Sequence, residues 1–316
     1  MDRSPAAGTA VIDEVPDDAR EIARRIRLRA LRQVIENKGG YLSQACSSAE
    51  ALAVLYTNLM NIGASEGPAM PAPYQGVPGP DNPDYLSGGM YNGPKRPELD
   101  RFILSPTHYS LALYVTLVEV GRLAPATLDE FEMDGGTLEM IGAEHSPGLE
   151  ITSGSFGQAI SQAAGMALAR RLKGDAGHVW LYISDGEMQE GQTWEALASM
   201  AHHRIDNLTV LIDANGQQVD GRQEAVTAAE PMRERIEAFG AKCVEIDGHD
   251  VEALLAIPAE RETGRPLVVI CRTDPARGME VMRDRYPETH YVIFRSEEER
   301  ERYRDYASAL EKESDT

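Results

Sequence analysis

Two polar residues stand where two apolar segments of the chain end. Asp185 lies just after the apolar stretch 180–183, with Ser184 between them. Asn215 lies just after the apolar stretch 208–212, with Asp213 and Ala214 between them. Asp185 and Asn215 are one strand–helix–strand unit apart. Because the carboxyl ends of neighbouring parallel strands meet at one edge of a sheet, we expect the two side chains to lie side by side. Carboxylate and amide oxygens suit Mg²⁺ or Ca²⁺, with phosphate oxygens filling the remaining positions.

The same two residues have a simpler interpretation, because Asp185-Gly186 and Asn215-Gly216 are dipeptides found in many ordinary turns. Either dipeptide alone is weak evidence for a metal site, and the placement of both at strand ends strengthens it. Gly186 would let the backbone approach a diphosphate closely. The chain has a formal charge of −20, and a bound metal would allow such a protein to hold an anionic ligand.

Segments rich in Val, Ile and Leu alternate with segments of helical period along most of the chain. The predicted strands are 102–104, 178–183, 208–212, 241–246 and 267–271, and the predicted helices include 17–36, 47–60, 109–120, 157–172 and 193–203. This alternation indicates an α/β fold, a parallel sheet with helices on both faces. Such a sheet would position Asp185 and Asn215 at its carboxyl edge.

The organisation of the chain predicts one large domain with additions. We expect a flexible leader at 1–16, a ligand-binding domain at 17–295 and a charged, exposed helix at 296–316. The domain contains a long Gly- and Pro-rich loop insertion at 61–100. Loops of this length are usually functional or disordered, so the insertion is interpreted either as a variable surface feature or as an active-site lid.

The composition argues against several classes of function. The chain has 51 acidic and 31 basic residues among 316, and this balance argues against a nucleic-acid partner, which requires clustered cations. The sequence has no run of 18 apolar residues and no signal-peptide pattern, so we expect no membrane association. Cys46, Cys243 and Cys271 follow no metal-ligand spacing, which favours reduced thiols and a cytoplasmic protein.

The residues around both strand ends resemble a known family motif. The segment 185–196, Asp-Gly-Glu-Met-Gln-Glu-Gly-Gln-Thr-Trp-Glu-Ala, and the segment 213–221, Asp-Ala-Asn-Gly-Gln-Gln-Val-Asp-Gly, are similar to the thiamine-diphosphate motif of transketolases. That motif opens with Gly-Asp-Gly, where this chain has Ser184 at the first glycine, and it closes on an asparagine. The resemblance implies that 17–295 is a thiamine-diphosphate-binding domain that takes Mg²⁺, with Ca²⁺ as a substitute.

The resemblance also implies which residues hold the metal and the cofactor. Asp185 and Asn215 would bind the metal through their side chains, and Gln217 through its backbone carbonyl. The segment 147–158 resembles a loop that leads into a helix near the cofactor. Together with the strand ends it supplies the expected cofactor-binding residues, which are Gly154, Ser155, Phe156, Asp185, Gly186, Glu187 and Asn215.

Three histidines match regions in which transketolases use imidazoles as hydrogen-bond donors and proton relays. His108 lies in the segment 104–114, Leu-Ser-Pro-Thr-His-Tyr-Ser-Leu-Ala-Leu-Tyr, which is similar to a family segment with an active-site histidine. His290 follows a late strand and its loop at 265–278. His145 has a shorter local spacing than the family, so it belongs either to the site or to a structural loop. The resemblance implies catalytic roles for all three.

One departure from the family concerns the end of the first helix. Transketolases carry a histidine there, in a Gly-His pair, whereas this chain has Glu36-Asn37-Lys38-Gly39-Gly40. We therefore expect the corresponding contact to be missing or to be supplied by Asn37 or Lys38. For the same reason the usual ketose-phosphate substrates do not carry over directly to this chain.

Catalysis with this cofactor requires a second set of residues. In full-length transketolases a glutamate and an aromatic residue contact the aminopyrimidine, and both come from a pyrimidine-binding domain that follows the diphosphate-binding domain. We expect that domain to be a separate polypeptide here, in an α2β2 heterotetramer. The enzyme would transfer a two-carbon ketol unit from a ketose donor to an aldehyde acceptor.

Two other functions stay open on the sequence alone. The Asp-to-Asn metal motif is shared by the α-type subunit of 2-oxoacid dehydrogenases and by acyl-transferring synthases, although the segments around His108 and 154–158 favour transketolase. A non-catalytic diphosphate-binding scaffold subunit is the other alternative. The missing early histidine favours a scaffold, and the intact Asp185, Asn215 and His108 oppose it.

Overall fold

A computed structural model describes residues 18–77, 79–83 and 85–314 of the chain. In chain order its strands are β1 (Gly39–Gly40), β2 (Arg101–Leu104), β3 (Val179–Ser184), β4 (Leu208–Ala214), β5 (Gln217–Gln218), β6 (Gly221–Arg222), β7 (Lys242–Asp247), β8 (Leu267–Arg272) and β9 (Val292–Ile293). Five of them form a parallel sheet in the spatial order β2-β3-β4-β8-β7. β3 and β4 are wholly buried, as expected of parallel strands covered on both faces.

Helices cover the two faces of this sheet. They are α1 (Ala19–Glu36), α2 (Leu42–Val54), α3 (Ser110–Glu119), α4 (Ala159–Lys173), α5 (Gly191–His202), α6 (Gln223–Val226), α7 (Met232–Ala238), α8 (Val251–Leu255) and α9 (Glu297–Ser314). Helices α1, α2 and α3 share a hydrophobic core with Trp180 and Tyr182 of β3, whereas α4, α5 and α7 share a second core with Leu181 and Ile183. Alternate side chains of one strand thus enter two cores, and the predicted α/β fold is confirmed.

Helix α2 begins earlier than the sequence predicts, at Leu42 rather than at residue 47. The serines and the glutamine of its first turns have the polar character of a loop, yet they are buried. The Ser48 hydroxyl donates to the Gln44 carbonyl at 2.6 Å, and the Ser43 hydroxyl donates to Gln44 Oε1 at 2.9 Å. Internal hydrogen bonds replace contact with water. The helix continues as a π-helical turn at Leu55–Leu59.

A small antiparallel pair joins two distant parts of the chain. β1, which follows α1, pairs with β9, so that Gly39 lies opposite Ile293 and Gly40 opposite Val292. The two backbones approach closely, because a Cβ atom on Gly39 would lie 2.7 Å from the Val292 carbonyl oxygen. A glycine in a strand commonly marks such an approach. The pairing holds the segment after α1 against the segment that contains His290.

The long segment 61–100 is hydrogen-bonded to the body of the domain. Asn92 accepts the Tyr56 hydroxyl at 2.7 Å and donates to the Gly148 carbonyl at 3.0 Å. The Arg122 guanidinium donates to the Gly63 carbonyl at 3.0 Å. None of the described residues of this segment lines the pocket at the ends of β3 and β4. Its position therefore favours a surface feature over a lid.

Helix α9 has one buried face, although its sequence predicts an exposed helix. Tyr303 and Ala307 are buried, and the Arg300 guanidinium donates to the Ile35 carbonyl at 2.7 Å. The helix is therefore attached to α1 along one side. The predicted leader at 1–16 lies outside the described residues. Within the part of the chain that is described, no helix has the length and apolar character needed to cross a bilayer.

Candidate active site

A pocket of about 340 Å³ opens at the carboxyl ends of β3 and β4. The part of the lining formed by Asp185, Asn215 and Gln217 is called the polar end, and the part formed by the clustered rings of Tyr41, His108, Phe156 and His290 is called the aromatic end. The lining residues of the whole pocket are Tyr41, Thr107, His108, Tyr109, Ile141, Gly154, Phe156, Ser184, Asp185, Gly186, Asn215, Gln217, Gln218, Val219, Asp220 and His290. Parallel open sheets bind ligands in this position.

Asp185 and Asn215 lie together at the polar end because β3 and β4 are adjacent and in register. The Asp185 carboxylate accepts the Gly216 N–H at 2.8 Å, and Asn215 Oδ1 accepts the Gln217 N–H at 2.9 Å. Burial raises the pKa of Asp185 to about 7, because a low-dielectric environment disfavours the charged form. The structure thus brings together the carboxylate and the amide that the sequence pairs.

A buried carboxylate to which the sequence assigns no role orients Asn215. Asp213, in β4, is fully buried. It accepts the hydroxyls of Ser47 and Tyr109, both at 2.6 Å, the Thr273 hydroxyl, and Asn215 Nδ2 at 3.3 Å. Asn215 Nδ2 also donates to the Tyr109 hydroxyl at 3.0 Å. Because these acceptors hold the amide nitrogen, the amide oxygen is the atom that Asn215 offers to a cation.

The donor set at the polar end fits a hard divalent cation. Asp185 offers a carboxylate oxygen, Asn215 offers an amide oxygen, and Gln217 belongs to the same wall. No lysine or arginine lines the pocket among the described residues, so the buried carboxylate faces no cationic side chain there. The described residues also hold no group of three His, Cys, Asp or Glu side chains suited to a metal. Phosphate oxygens of a ligand would therefore have to complete the coordination shell.

Glu187 lies behind the pocket wall rather than in it. Its buried carboxylate accepts the Ser184 N–H at 2.9 Å, the Gly157 N–H at 3.4 Å and the Ser105 hydroxyl. These bonds connect the end of β3 with the end of β2 and with the loop before α4. The position of Glu187 favours a supporting role over direct contact with a cofactor.

The loop before α4 places two of its three predicted residues in the lining. Gly154 has a φ of +100°, and a Cβ atom there would lie 2.7 Å from Thr107 Oγ1, so this position requires glycine. The Phe156 ring lies 5.6 Å from the His108 ring between centroids. Ser155 does not line the pocket, and its hydroxyl accepts Gln158 Nε2 at 3.0 Å.

Two of the three predicted histidines meet at the aromatic end of the pocket. The ring centroids of His108 and His290 are 5.2 Å apart. Burial lowers the pKa of His108 to about 3 and also lowers that of His290, so both imidazoles are neutral at neutral pH. Gln44 in α2 holds the segment by donating to the His290 carbonyl at 3.1 Å. A neutral imidazole can donate one hydrogen bond and accept another.

His145 lies in a different cleft, which is lined mainly by residues of the 61–100 segment. Its ring packs against Tyr74 at 4.4 Å between centroids, and its Nε2 is 3.3 Å from a carboxylate oxygen of Glu139. The structure does not bring His145 together with His108 and His290. The long-range packing of segment 61–100 decides this position, and the local spacing around His145 does not reveal it.

The residues expected to replace the early histidine do not reach the pocket. Lys38 is exposed, and Asn37 Oδ1 accepts Gln33 Nε2 at 3.3 Å. Tyr41, which follows β1, does line the pocket. Its ring centroid is 5.5 Å from that of His108 and 5.7 Å from that of His290.

Comparison with known proteins gives a consistent family signal. Residues 90–283 match the family model described as transketolase, thiamine diphosphate binding domain. A transketolase family protein of Sinorhizobium fredii is 36% identical over 263 residues, which cover 82% of this chain and 85% of that protein. The 6-deoxy-6-sulfo-D-fructose transketolase subunit of Clostridium sp. is 30% identical over 264 residues, which cover 83% of this chain and 86% of that subunit.

Longer relatives are similar over part of their length. Human transketolase-like protein 2 is 29% identical, and this chain covers 38% of it. The transketolase structure from Campylobacter jejuni superposes with a TM-score of 0.73 at 21% identity, covering 92% of this chain and 42% of that one. A Pichia stipitis transketolase variant in complex with xylulose 5-phosphate superposes with a TM-score of 0.66 at 20% identity, covering 94% and 45%. The chain spans less than half of these longer proteins.

Proposed function

Because this chain belongs to the transketolase family, we propose that it is the diphosphate-binding subunit of a two-subunit enzyme that transfers a two-carbon ketol unit from a ketose to an aldehyde. The observation that carries the proposal is a single pocket with Asp185 and Asn215 at one end and His108 and His290 at the other. The first pair suits a metal-bound diphosphate. The second pair suits proton transfer at substrate oxygens.

The polar end would hold the cofactor. Thiamine diphosphate, when bound, supplies the electron sink for breaking and forming the carbon–carbon bond. Asp185, Asn215 and the Gln217 carbonyl would bind Mg²⁺, or Ca²⁺ in its place, and the metal would offset the charge of the diphosphate. Gly186 would present its backbone to the diphosphate, and Phe156 lines the same pocket beside His108.

The aromatic end would handle protons. When a carbon–carbon bond next to a hydroxyl breaks, the hydroxyl proton must leave, and the reverse step must return a proton. The lowered pKa values keep His108 and His290 neutral, so each ring offers substrate oxygens one N–H donor and one acceptor nitrogen. His145 lies in another cleft and takes no part in this step of the proposal.

A separate pyrimidine-binding subunit would complete the site in an α2β2 assembly. Two large apolar side chains at the rim of the pocket are exposed, Val219 by 78% and Ile141 by 47%, and a second polypeptide would bury them. Some relatives of similar length are named as enzyme subunits, among them the apulose-4-phosphate transketolase subunit of Phocaeicola vulgatus, of which this chain covers 92%.

The cysteines Cys46, Cys243 and Cys271 are buried and unpaired, which favours the reducing cytoplasm as the location of the enzyme.

The proposed substrates are sugars or sugar-like ketoses and aldehydes. Two of the relatives above are named for a sulfonated sugar and for a sugar phosphate. Among the described residues of this chain, no lysine or arginine lines the pocket. Binding the anionic end of such a sugar would therefore fall to the partner subunit, because sulfonate and phosphate groups are best held by cationic donors.

Calorimetric titration of thiamine diphosphate tests the proposal, using this chain co-purified with the product of the adjacent gene. We expect tight binding only when Mg²⁺ and the partner are both present. Asp185→Asn should weaken binding by about 100-fold or more, equivalent to about 2.7 kcal/mol. Asp220→Asn changes an exposed carboxylate at the rim of the same pocket and should bind like the wild type.

The outcomes separate the candidate functions. Binding followed by turnover of ketoses supports ketol transfer. Binding with turnover of 2-oxoacids instead would favour the dehydrogenase-type subunit or the acyl-transferring synthase, and binding without any turnover would favour the scaffold. No binding in any combination would contradict a cofactor role for this pocket.

A further inference from the structure

Tyr41 occupies the aromatic end of the pocket, next to the two histidines. It follows the strand residue Gly40 and is the N-cap residue of α2, so its backbone is held on both sides. Its ring packs edge-on against Tyr291, with centroids 4.7 Å apart and an interplanar angle of 85°. The same ring lies close to His108 and His290. Three neighbouring rings thus fix the place of the Tyr41 side chain, which is only partly buried.

The hydroxyl of Tyr41 has no hydrogen-bond partner within the described part of the chain. The hydroxyls of Tyr56, Tyr109 and Tyr114, in contrast, donate to Asn92, to Asp213 and to the Glu139 carbonyl. Burial and the nearby Glu132 carboxylate raise the pKa of Tyr41, so its hydroxyl stays protonated at neutral pH. A phenol in a pocket lining that makes no internal hydrogen bond can donate one to a ligand oxygen.

We propose that Tyr41 contacts the substrate and that its hydroxyl donates a hydrogen bond to a sugar oxygen, in place of the histidine missing after α1. This inference rests on the proposed function and deepens it. A phenol does not titrate near neutral pH, whereas a histidine does. The contact would therefore keep its strength over the pH range in which an imidazole at this position gains and loses its charge.

The inference is tested in the complex with the partner subunit, Mg²⁺ and thiamine diphosphate. Tyr41→Phe removes one oxygen and keeps the ring, and Tyr41→His places an imidazole in the position of the phenol. Tyr291→Phe is the matched control, because Tyr291 packs on the same ring but lies outside the pocket lining, with its hydroxyl 3.7 Å from Met140 Sδ. Two probes are used: D-xylulose 5-phosphate for turnover, and xylitol 5-phosphate for binding, because this polyol lacks the carbonyl and does not react.

Tyr41→Phe should lower kcat/KM for D-xylulose 5-phosphate by about 10- to 100-fold, because the sugar oxygen would lose its hydrogen-bond donor. It should also weaken binding of xylitol 5-phosphate, whereas thiamine-diphosphate affinity and Tm should match the wild type. Tyr41→His should keep part of the turnover and add a pH dependence near pH 6.5. Tyr291→Phe should leave all of these properties unchanged.

Wild-type turnover and polyol binding in Tyr41→Phe would overturn the inference. An equal loss of thiamine-diphosphate affinity would also overturn it, because Tyr41 would then serve the cofactor or the fold. Absence of polyol binding to the wild-type complex would contradict it as well. If the wild type binds cofactor and polyol but turns over no ketose, ketol transfer fails as the function, and the difference in polyol affinity still decides the role of Tyr41.

Discussion

Asp213 supports the proposed metal ligand Asn215 without being a ligand itself, because it accepts hydrogen bonds from Ser47, Tyr109, Thr273 and Asn215 at once. Asp213→Asn would turn an amide NH2 group toward some of these donors and release Asn215 from its orientation. We expect Mg²⁺-dependent thiamine-diphosphate affinity to fall about 10- to 100-fold, as is typical when the outer partner of a metal ligand is lost. Calorimetry measures this loss.

A milder variant serves as the comparison for Asp213→Asn. Thr273→Val removes one of the four donors and leaves the carboxylate and Asn215 in place, so its effect on affinity should be smaller. If Asp213→Asn binds Mg²⁺ and cofactor like the wild type, the network does not orient Asn215.

Buried histidines make the stability of the chain depend on pH. Burial lowers the pKa of His178 to about 3 from the ordinary value of 6.5. The unfolded state therefore binds more protons between these values, so the stability is complete above pH 6.5 and is lost as the pH falls through this window. We expect Tm to decrease from pH 7 to pH 5. His178→Gln removes this one proton. The free energy of unfolding should therefore fall less steeply with decreasing pH, by about 1.4 kcal/mol per pH unit.

Thermal unfolding followed by circular dichroism measures this slope. His178 lies at the start of β3, where its Nε2 is 2.9 Å from the Thr209 hydroxyl, at the opposite end of the strand from the residues proposed to bind cofactor. His203→Gln is the control, because His203 is exposed and should leave the slope unchanged. Identical slopes for the wild type and His178→Gln would contradict the expectation.

Sequence patterns predict some site residues and miss others for physical reasons. Asp185 and Asn215 follow apolar strands, and parallel strands bring their ends together whatever the rest of the chain does. Asp213 opens the motif segment 213–221 directly after the predicted strand 208–212, and its type and position do not identify its four buried partners. Tyr41 follows two glycines that predict a turn, and its neighbour His290 arrives through long-range pairing.

The β1–β9 pair is the element that positions the aromatic end of the pocket. Gly39→Ala would place a methyl group 2.7 Å from the Val292 carbonyl oxygen, so the two strands would have to separate. Because β1 leads into Tyr41 and β9 follows His290, both rings should shift. We expect kcat/KM for a ketose donor to fall by about tenfold or more. Cofactor affinity should change little, because the residues proposed to bind the cofactor follow β3 and β4.

The control for this prediction is another glycine-to-alanine change. A Cβ atom at Gly165 in α4 has no atom within 4 Å in the described structure, so Gly165→Ala should keep full activity and add up to about 1 kcal/mol of helix stability. Steady-state kinetics and calorimetry on both variants measure the two effects. Full ketose turnover by Gly39→Ala would show that the pairing does not position the site.

At the scale of elements, the predicted strands and most helices agree with the structure because apolar periodicity reports burial. The start of α2 differs because its buried serines bond within the helix, which the pattern does not show. The position of His145 differs because segment 61–100 packs around it. The first difference comes from local hydrogen bonds that leave no mark on the apolar pattern. The second comes from a contact between segments that are distant in sequence.

Large apolar side chains are exposed near both ends of the strands of the sheet. Val219 lies on the pocket rim and is 78% exposed, and Leu172, near the C-terminus of α4, is 79% exposed. If the partner subunit covers the pocket, Val219→Asp should weaken its association by about tenfold or more, because a charge would be buried without a partner. Leu172→Asp should have no effect, because α4 ends near the amino ends of the strands, on the side away from the pocket.

Sedimentation of mixed subunits measures these associations. Equal weakening by both substitutions would indicate a general effect of charge on an already acidic chain. Unchanged association in Val219→Asp would place the interface elsewhere on the molecule.

The pairing of β1 with β9 also sets an order of events during synthesis. The ribosome makes Asp185, Asn215 and Gln217 before the strands β7 and β8, and it makes these strands before His290. At about 5–20 residues per second, the chain between Gln217 and Ile293 takes several seconds to appear. During that interval a nascent chain carries its proposed metal ligands but only one of its two pocket histidines, His108. The pairing of β1 with β9 is therefore among the last steps in the formation of the pocket of a newly made subunit.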